Sequence, residues 1–184
     1  MKILAICPSN RPEKLTTMLD SFLTTRSDNT DIRINYEEKS ITKIFNDTFQ
    51  ANPDYDFYHL TNDDVVYKTQ GWDLKLANKG KISWGFDGIQ NENLCCFPMI
   101  DGDIIRKLGW LQMPTLQKYS GDVVWHFIGK ECGILNYMPD VHIEHQWHES
   151  QVDMDIHLED MTEFGKWLPW SFRDIKKVKE YLNG

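Results

Sequence analysis

The start of the chain constrains the fold most, because an apolar strand pattern is followed there by a helical one. Residues 3–7 are continuously apolar and end at the turn Pro8-Ser9-Asn10-Arg11-Pro12, as expected for a strand buried on both faces. Residues 13–24 then repeat apolar side chains at helical spacing. Strand, turn and helix form one βα unit, so we expect an α/β fold with a mixed, mainly parallel central sheet flanked by helices.

The alternation of strand and helix patterns continues along the chain. Residues 31–36 and 55–60 have the pattern of a second and a third strand, and a helical pattern at residues 41–51 separates them. Later segments predict helices at 72–77, 102–111, 122–133 and from 160 onward, with a further strand within 136–143. We therefore expect a single domain over residues 1–184.

The charge balance limits the partners that the chain attracts. Twenty basic and twenty-eight acidic side chains give a net charge of −8 and a pI of about 5.2. No global positive field draws in phosphate backbones, so nucleic acid is a disfavoured partner, although a local basic groove would still admit it. No apolar run approaches the roughly 18 residues of a membrane span.

The four cysteines point to a reducing compartment. Cys7, Cys95, Cys96 and Cys132 lack the C-x2-C spacing of a zinc knuckle, and the two adjacent ones rarely bridge each other in a strand. We predict that all four are reduced and mostly buried, and that the protein is cytoplasmic.

The triplet Asn62-Asp63-Asp64 directly follows the third strand pattern and is the most informative motif. Two adjacent carboxylates at a strand end repel each other unless a cation or an arginine neutralises them, and open α/β sheets bind ligands at this edge. Hard oxygen ligands of this kind suit Mg²⁺ or Mn²⁺ beside a diphosphate. A simple polar turn is the alternative, since Asn-Asp is common in turns.

The motif and its surroundings resemble the GT-A glycosyltransferases, in a family-2-like form. Residues 57–67 (FYHLTNDDVVY) and 69–73 (TQGWD) are similar to the segment in which that superfamily carries a D-x-D-type triplet. The resemblance implies the Rossmann-like nucleotide-diphospho-sugar transferase fold, Mn²⁺ or Mg²⁺ as cofactor, and a nucleotide sugar as co-substrate. It implies transfer of a hexose, most simply from a UDP-sugar, to the hydroxyl of a carbohydrate or other acceptor.

The resemblance covers most of the chain and assigns its parts. Donor binding falls to about residues 1–80, with Pro8, Ser9 and Arg11 placed at the nucleotide and Asn46 on the helix at 41–51. Acceptor binding and catalysis fall to about residues 81–184. These include an acceptor-side segment at 101–110 and residues 121–125 (GDVVW), where the family often places its catalytic carboxylate.

The triplet departs from strict D-x-D because Asn62 holds the first acidic position. The resemblance therefore gives the direct metal contact to Asp64, a ribose contact or an indirect role to Asn62, and an orienting or ion-pairing role to Asp63. Arg11 would pair with the diphosphate or with Asp63, because its planar fork suits both.

A second metal ligand is expected late in the chain. Residues 140–163 contain four of the six histidines and eight acidic residues, without lysine or arginine. A strand that ends at about residue 144 places His145 at its exit, where GT-A enzymes often provide a metal-binding histidine. His148 is the second candidate, and a surface or core histidine is the alternative for each.

Asp122 is the candidate catalytic residue. An aspartate at the start of a helix is most often an N-cap, whereas the family position implies a general base that deprotonates the acceptor hydroxyl in an inverting transfer. Asp101 and Asp103 are weaker candidates for holding acceptor hydroxyls, and Trp84, among glycines, is expected near the acceptor.

Two other classes of function stay open from the residues alone. A metal-dependent hydrolase or nucleotidyltransferase uses similar acids and histidines, although no H-E-x-x-H cluster occurs. A non-catalytic nucleotide-sugar-binding module of the same fold is favoured by Asn62 and by the short chain. The donor base, the acceptor and the stereochemical outcome are not readable from the sequence, and a homo-oligomer stays open.

Overall fold

The structure, a computed structural model, describes residues 1–35, 40–146 and 152–184. These residues form strands β1 (Ile3–Pro8), β2 (Thr30–Asn35), β3 (Phe57–Leu60), β4 (Val65–Tyr67), β5 (Ile82–Phe86), β6 (Met99–Asp101) and β7 (Leu135–His145). The helices are α1 (Pro12–Thr25), α2 (Ile41–Ala51), α3 (Trp72–Ala77), α4 (Gly102–Leu108), α5 (Gly121–Cys132), α6 (Met154–Trp167) and α7 (Phe172–Asn183). Short 3₁₀ turns lie at Asn91–Asn93 and Leu168–Trp170.

The strands form one mixed sheet in the order β2-β1-β3-β6-β5-β7-β4. In the described residues, β1 pairs in parallel with β2 and β3, and β5 pairs in parallel with β7. The remaining three pairings, β3 with β6, β6 with β5 and β7 with β4, are antiparallel. The prediction of an α/β sheet with mixed pairing is confirmed. Five of the seven described strands run in one direction, but only three of the six pairings are parallel. Two short strands, β4 and β6, insert with reversed direction, and three-residue strands leave almost no periodic signal.

The core lies on both faces of the sheet, as the apolar run at the start of the chain predicts. Along β1, Leu4 and Ile6 join the cluster that packs against α2, α4 and α5, while Ile3, Ala5 and Cys7 join the cluster under α1 and α3. All five are fully buried. Alternate side chains of a strand point to opposite faces, so β1 anchors both halves of the core.

The element bounds follow the predictions closely, with local exceptions. The third strand begins at Phe57 instead of residue 55, and Tyr36 lies outside the described residues. Helix α4 ends at Leu108 because Gly109 adopts a left-handed conformation with φ of 84°. The C-terminal helical region begins at Met154 and is interrupted at Leu168–Trp170.

The topology brings four strand ends to one edge of the sheet. Strands β1 and β3 are parallel, and β6 runs opposite to both β3 and β5, so that β1, β3, β5 and β7 all point the same way. Ser9 follows β1, the 61–64 segment follows β3, Asp87 follows β5, and His145 is the last residue of β7. A Cβ at Gly85 would lie 2.2 Å from the carbonyl oxygen of Val141, so glycine is required for β7 to approach β5 here.

Candidate functional site

Asp63 is held in place by two residues of the turn after β1. Its Oδ2 accepts hydrogen bonds from Ser9 Oγ at 2.7 Å and from Arg11 Nε at 3.0 Å, and its Oδ1 contacts the Arg11 guanidinium. The hydrogen bond to Asp63 is the main reason that the pKa of Arg11 is raised. Asp63 is buried, so this bidentate pair compensates its charge and fixes the β1 turn against the loop after β3.

Asp64 lies directly beside His145 because of the pairing between β4 and β7. Val65 faces His145 in the antiparallel ladder, and the backbone N–H of Gln146 donates to the carbonyl of Asp64 at 2.7 Å. The Asp64 Oδ1 is 3.7 Å from Nε2 of His145, and its Oδ2 accepts from Arg11 at 3.2 Å. Oδ1 is buried and has no hydrogen-bond partner among the described residues.

His145 is surrounded by charged groups from several elements. Its ring packs edge-on against Phe97, and its backbone N–H donates to the carbonyl of Asp87 at 2.9 Å. Burial lowers the pKa of His145. The carboxylates of Asp64, Asp87 and Asp122 raise this pKa, and the ammonium group of Lys14 lowers it. A lowered pKa keeps the imidazole neutral, which is the form that binds a metal ion.

Asp87 closes the site from the end of β5. Its Oδ1 accepts three backbone N–H groups of the following turn, from Ile89, Gln90 and Asn91, at 2.7–3.1 Å. Its Oδ2 is buried without a hydrogen-bond partner among the described residues. One oxygen therefore shapes the loop, and the carboxylate also helps to raise the pKa of the neighbouring Cys96 thiol.

Asp122 lies in the first turn of α5 but is not its N-cap, because the helix begins at Gly121 after Ser120. Its Oδ1 accepts from the backbone of Val123 at 2.9 Å, and the thiol of Cys96 lies 3.8 Å from its Oδ2. Burial is the main cause that raises the pKa of Asp122. The charges of Asp122 and His145 act on each other's pKa: the imidazole lowers that of Asp122, and the carboxylate raises that of His145.

Lys14 brings a cation to the group. It belongs to the first turn of α1, and its Nζ is buried without a hydrogen-bond partner among the described residues. Its charge is one of those that act on the pKa of His145, which it lowers. Arg11 is already engaged with Asp63 and Asp64, whereas Lys14 Nζ has no hydrogen-bond partner among the described residues.

A chain of buried, hydrogen-bonded side chains links β3, the 61–64 segment and β4. His59 Nε2 and Tyr67 Oη are 2.9 Å apart, and the Tyr67 hydroxyl donates to Thr61 Oγ1 at 2.7 Å. Burial lowers the pKa of His59 to about 3. The neutral imidazole therefore belongs to the fold and is not one of the groups open to a ligand.

Other predicted site residues serve the fold. The amide of Asn46 donates to the carbonyl of Gln112 and accepts from the backbone N–H groups of Leu111 and Gln112. It thereby fixes the loop that leads to α5, beside a separate hollow of about 370 Å³. Pro8 is buried at the end of β1, and Asn62 is partly buried at the edge. The nucleotide roles of all three stay predictions. His148 lies outside the described residues.

The weaker acceptor candidates are used structurally. Asp101 caps α4 through hydrogen bonds from Asp103 and Ile104, and it pairs with Lys81 at 2.7 Å. Asp103 pairs with the guanidinium of Arg106. Trp84 is 3% exposed and donates to the carbonyl of Asn91 at 2.7 Å, so no open sugar-stacking face is available on it.

Sequence reasoning missed Asp87, Lys14 and Cys96. Asp87 had a usable signal, because it directly follows the buried strand β5, much as Asp63 follows β3 after two intervening residues. Lys14 is one lysine in an amphipathic helix, and the approach of Cys96 to Asp122 depends on how the loop before β6 packs. Neither has a local signature.

The described side chains offer a divalent ion few ligands of their own. Within residues 1–35, 40–146 and 152–184, no three His, Cys, Asp or Glu side chains are grouped closely enough to hold a metal alone. Asp64 Oδ1 and His145 Nε2 nevertheless form an open oxygen–imidazole pair, a donor set that suits Mn²⁺. The residues fit an ion that takes its other ligands from a diphosphate and water.

Cys7, Cys95, Cys96 and Cys132 are free, and the first three are buried. Across the part of the chain that the structure describes, no helix has the length and apolar character needed to cross a bilayer.

Comparisons with known proteins inform the fold only. No family model matches the chain, and no curated protein matches it. Among solved structures it is similar to A197 from STIV, with a TM-score of 0.58 and 16% identity over 81% of this chain and 87% of that one. It is also similar to S. aureus TarS, with a TM-score of 0.63 and 11% identity over the whole of this chain.

A second TarS structure, of residues 1–349 in complex with UDP, gives a TM-score of 0.58 and 11% identity over 78% of this chain. This chain spans 43% and 60% of the two TarS chains. At such identities the likeness shows a shared fold and nothing further: the chain has the α/β fold of A197 and of the matched part of TarS.

Proposed function

We propose that this protein is a metal-dependent glycosyltransferase that transfers a hexose from a nucleotide sugar, most simply a UDP-sugar, to an acceptor hydroxyl. The observation that carries the proposal is the buried Asp64 Oδ1, which lies 3.7 Å from Nε2 of His145 at the carboxyl edge of the sheet and has no hydrogen-bond partner among the described residues. Ligands of open α/β folds bind at that edge. The UDP in one structure of similar fold adds support for a nucleotide donor.

The donor site would combine one metal position with one cation. Asp64 and His145 would hold Mn²⁺ or Mg²⁺, which when bound neutralises charge on the diphosphate leaving group. Arg11 and Ser9 would hold Asp63 and the β1 turn in the position that the nucleotide contacts. Lys14 would pair with a phosphate oxygen that the metal does not reach.

The chemical step would use Asp122. As the acceptor oxygen bonds to the anomeric carbon and the bond to the diphosphate oxygen breaks, the hydroxyl proton would pass to this carboxylate. Burial raises the pKa of Asp122, which increases its basicity compared with a solvated aspartate. The thiol of Cys96 and the N–H of Val123 would hold the carboxylate in position.

The test is an assay of UDP release from UDP-sugars, in Mn²⁺ and again in EDTA. Water serves as the acceptor when no other acceptor is added. The wild type should release UDP from at least one donor only with metal. Asp122→Asn should slow release by about 10²–10⁴-fold while UDP still binds. Asp103→Asn, at an exposed acid paired with Arg106, is the matched control and should retain full activity.

Two results would overturn the catalytic assignment. One is an Asp122→Asn protein that turns over like the wild type, and the other is a variant that loses its cooperative melt, which would make Asp122 structural. Metal-dependent UDP binding without turnover of any donor would favour the non-catalytic binding module, for which Asn62 in place of a carboxylate is the specific observation.

A further inference from the structure

The turn between α6 and α7 carries large apolar side chains in the open. Leu168, Trp170 and Phe172 are 36, 57 and 57% exposed. They lie in or next to the 3₁₀ turn that contains Pro169, whose fixed φ stiffens the connection. We call these three side chains the α6–α7 tip. Bulky apolar groups placed side by side on a surface mark a site of interaction.

The tip is the basic end of an acidic protein. From residue 166 to the last residue there are five basic and two acidic side chains, although the whole chain has a net charge of −8. Arg173 lies over the rings of Trp170 and Phe172, 4.9 and 5.8 Å from their centroids. Guanidinium and aromatic rings therefore form one amphipathic surface.

Helix α7 continues this surface away from the tip. Val178 is buried against the core, whereas Lys176, Lys177 and Lys179 are exposed. Lys176 pairs with Glu180 at 3.7 Å and Lys177 with Asp174 at 3.4 Å, so part of this positive charge is balanced within the helix. An open hollow of about 700 Å³ lies between α5 and α7, and its lining includes Phe172, Lys176 and Lys179 together with the carboxylates of Glu131 and Glu180. The segment from residue 166 onward still carries a net positive charge of three.

We propose that the α6–α7 tip docks the protein on an anionic lipid bilayer, with its three apolar side chains at headgroup depth and the α7 lysines facing anionic headgroups. Tryptophan beside basic residues is the composition that membrane interfaces favour. Each Lys or Arg near such a surface strengthens binding by about fivefold. The rest of the chain is acidic and is repelled, so this face alone is presented.

A second copy of the chain is a poorer occupant for the tip. A two-fold symmetric interface places the same patch of both copies together, which would bring Arg173 and the α7 lysines against their own equivalents. Like charges at a dehydrated contact oppose association. The bilayer complements both the apolar and the cationic part of the surface, and this proposal does not depend on the catalytic activity.

The test is co-sedimentation of the full chain with vesicles of phosphatidylcholine alone and of phosphatidylcholine with phosphatidylglycerol. We expect binding to the anionic vesicles only, weakened by added salt. The double variants Trp170→Ser/Phe172→Ser and Lys176→Glu/Lys177→Glu should each bind at least about tenfold more weakly. Matched controls are Leu23→Ser, at an apolar side chain 52% exposed on α1, and Lys75→Glu/Lys79→Glu on the surface around α3. Both should bind as the wild type does.

Three outcomes would overturn the proposal. The wild type could stay in the supernatant with anionic vesicles, or the control variants could lose as much binding as the tip variants. The third outcome is a wild-type dimer in solution that Trp170→Ser/Phe172→Ser converts to a monomer, which would assign the tip to a second copy. Thermal melts of all variants distinguish a loss of binding from a loss of fold.

Discussion

The carboxylates of Asp160 and Asp64 are both buried, but their oxygens are used in opposite ways. Asp160 on α6 accepts backbone N–H groups from residues 117, 118 and 119 at 2.6–2.8 Å. Asp64 Oδ1 has no hydrogen-bond partner in the described ranges, and a histidine ring lies 3.7 Å away. Asp160 ties a loop to a helix, whereas Asp64 is placed to accept something further.

The difference separates structural acids from ligand-binding acids. Burying a carboxylate is costly, and backbone donors offset that cost at Asp160. Arg11 compensates the charge of the Asp64 carboxylate only in part. Its burial therefore destabilises the folded state, and a bound cation would offset that cost. The buried oxygens of Asp64 and Asp87 that lack a partner among the described residues at the carboxyl edge of the sheet therefore mark the candidate functional region.

The largest expected effect is a response to acid, through His59, which lies beneath the acidic loop and belongs to the fold. Below its ordinary pKa of 6.5 the unfolded chain binds a proton that the folded His59, with a pKa of about 3, does not bind. The free energy of unfolding therefore falls as the pH drops from 6.5 toward 3, by about 3 kcal/mol at about pH 4.5. Urea unfolding of the wild type and of His59→Gln across this range measures the effect.

The His59→Gln protein should show a flatter pH dependence than the wild type, whatever its stability at neutral pH. The exposed His142 supplies the matched control, since His142→Gln should keep the wild-type slope. Identical slopes for the wild type and His59→Gln would show that this histidine is not held neutral by burial.

Amide substitutions at the two contrasted acids should have unequal effects on stability. Asp160→Asn loses an acceptor oxygen facing backbone N–H groups, so it should lower the free energy of unfolding by about 2 kcal/mol. Asp64→Asn removes an incompletely compensated charge and should change stability by less than about 1 kcal/mol in either direction. Denaturant melts of both proteins decide the point. A larger loss at Asp64 would reverse the assignment of the two acids.

The smallest expected effect belongs to Lys14. Lys14→Gln removes one phosphate contact and should weaken UDP binding in Mn²⁺ by about tenfold, while the thermal melt stays unchanged. Calorimetric titration measures the affinity, and Lys75→Gln, at an exposed lysine on α3, is the control. Equal UDP affinity in Lys14→Gln and wild type would remove Lys14 from the donor site.

The sequence was informative where the signal is local. The apolar run of β1 and the helical spacing of α1 and α2 predicted those elements closely. The acidic triplet after β3 was identified because charge at a strand end is unusual.

Long-range pairings could not be predicted from local patterns. The three residues of β4 give no periodic signal, yet their pairing with β7 sets Asp64 against His145. The reversed β6 makes the sheet evenly mixed and aligns β5 with β3, which brings Asp87 to the same edge. Asn46 was assigned by resemblance, whereas its amide is used to hold the loop before α5.

The central claim is that the open carboxylate of Asp64 binds a metal–nucleotide complex, and calorimetric titration of UDP tests it most directly. Wild-type protein should bind UDP in Mn²⁺ and not in EDTA, and Asp64→Asn should bind about 100-fold more weakly or not at all. Asp160→Asn, where it remains folded, should bind like the wild type. UDP binding that is equally strong in EDTA, or unchanged in Asp64→Asn, would contradict the account.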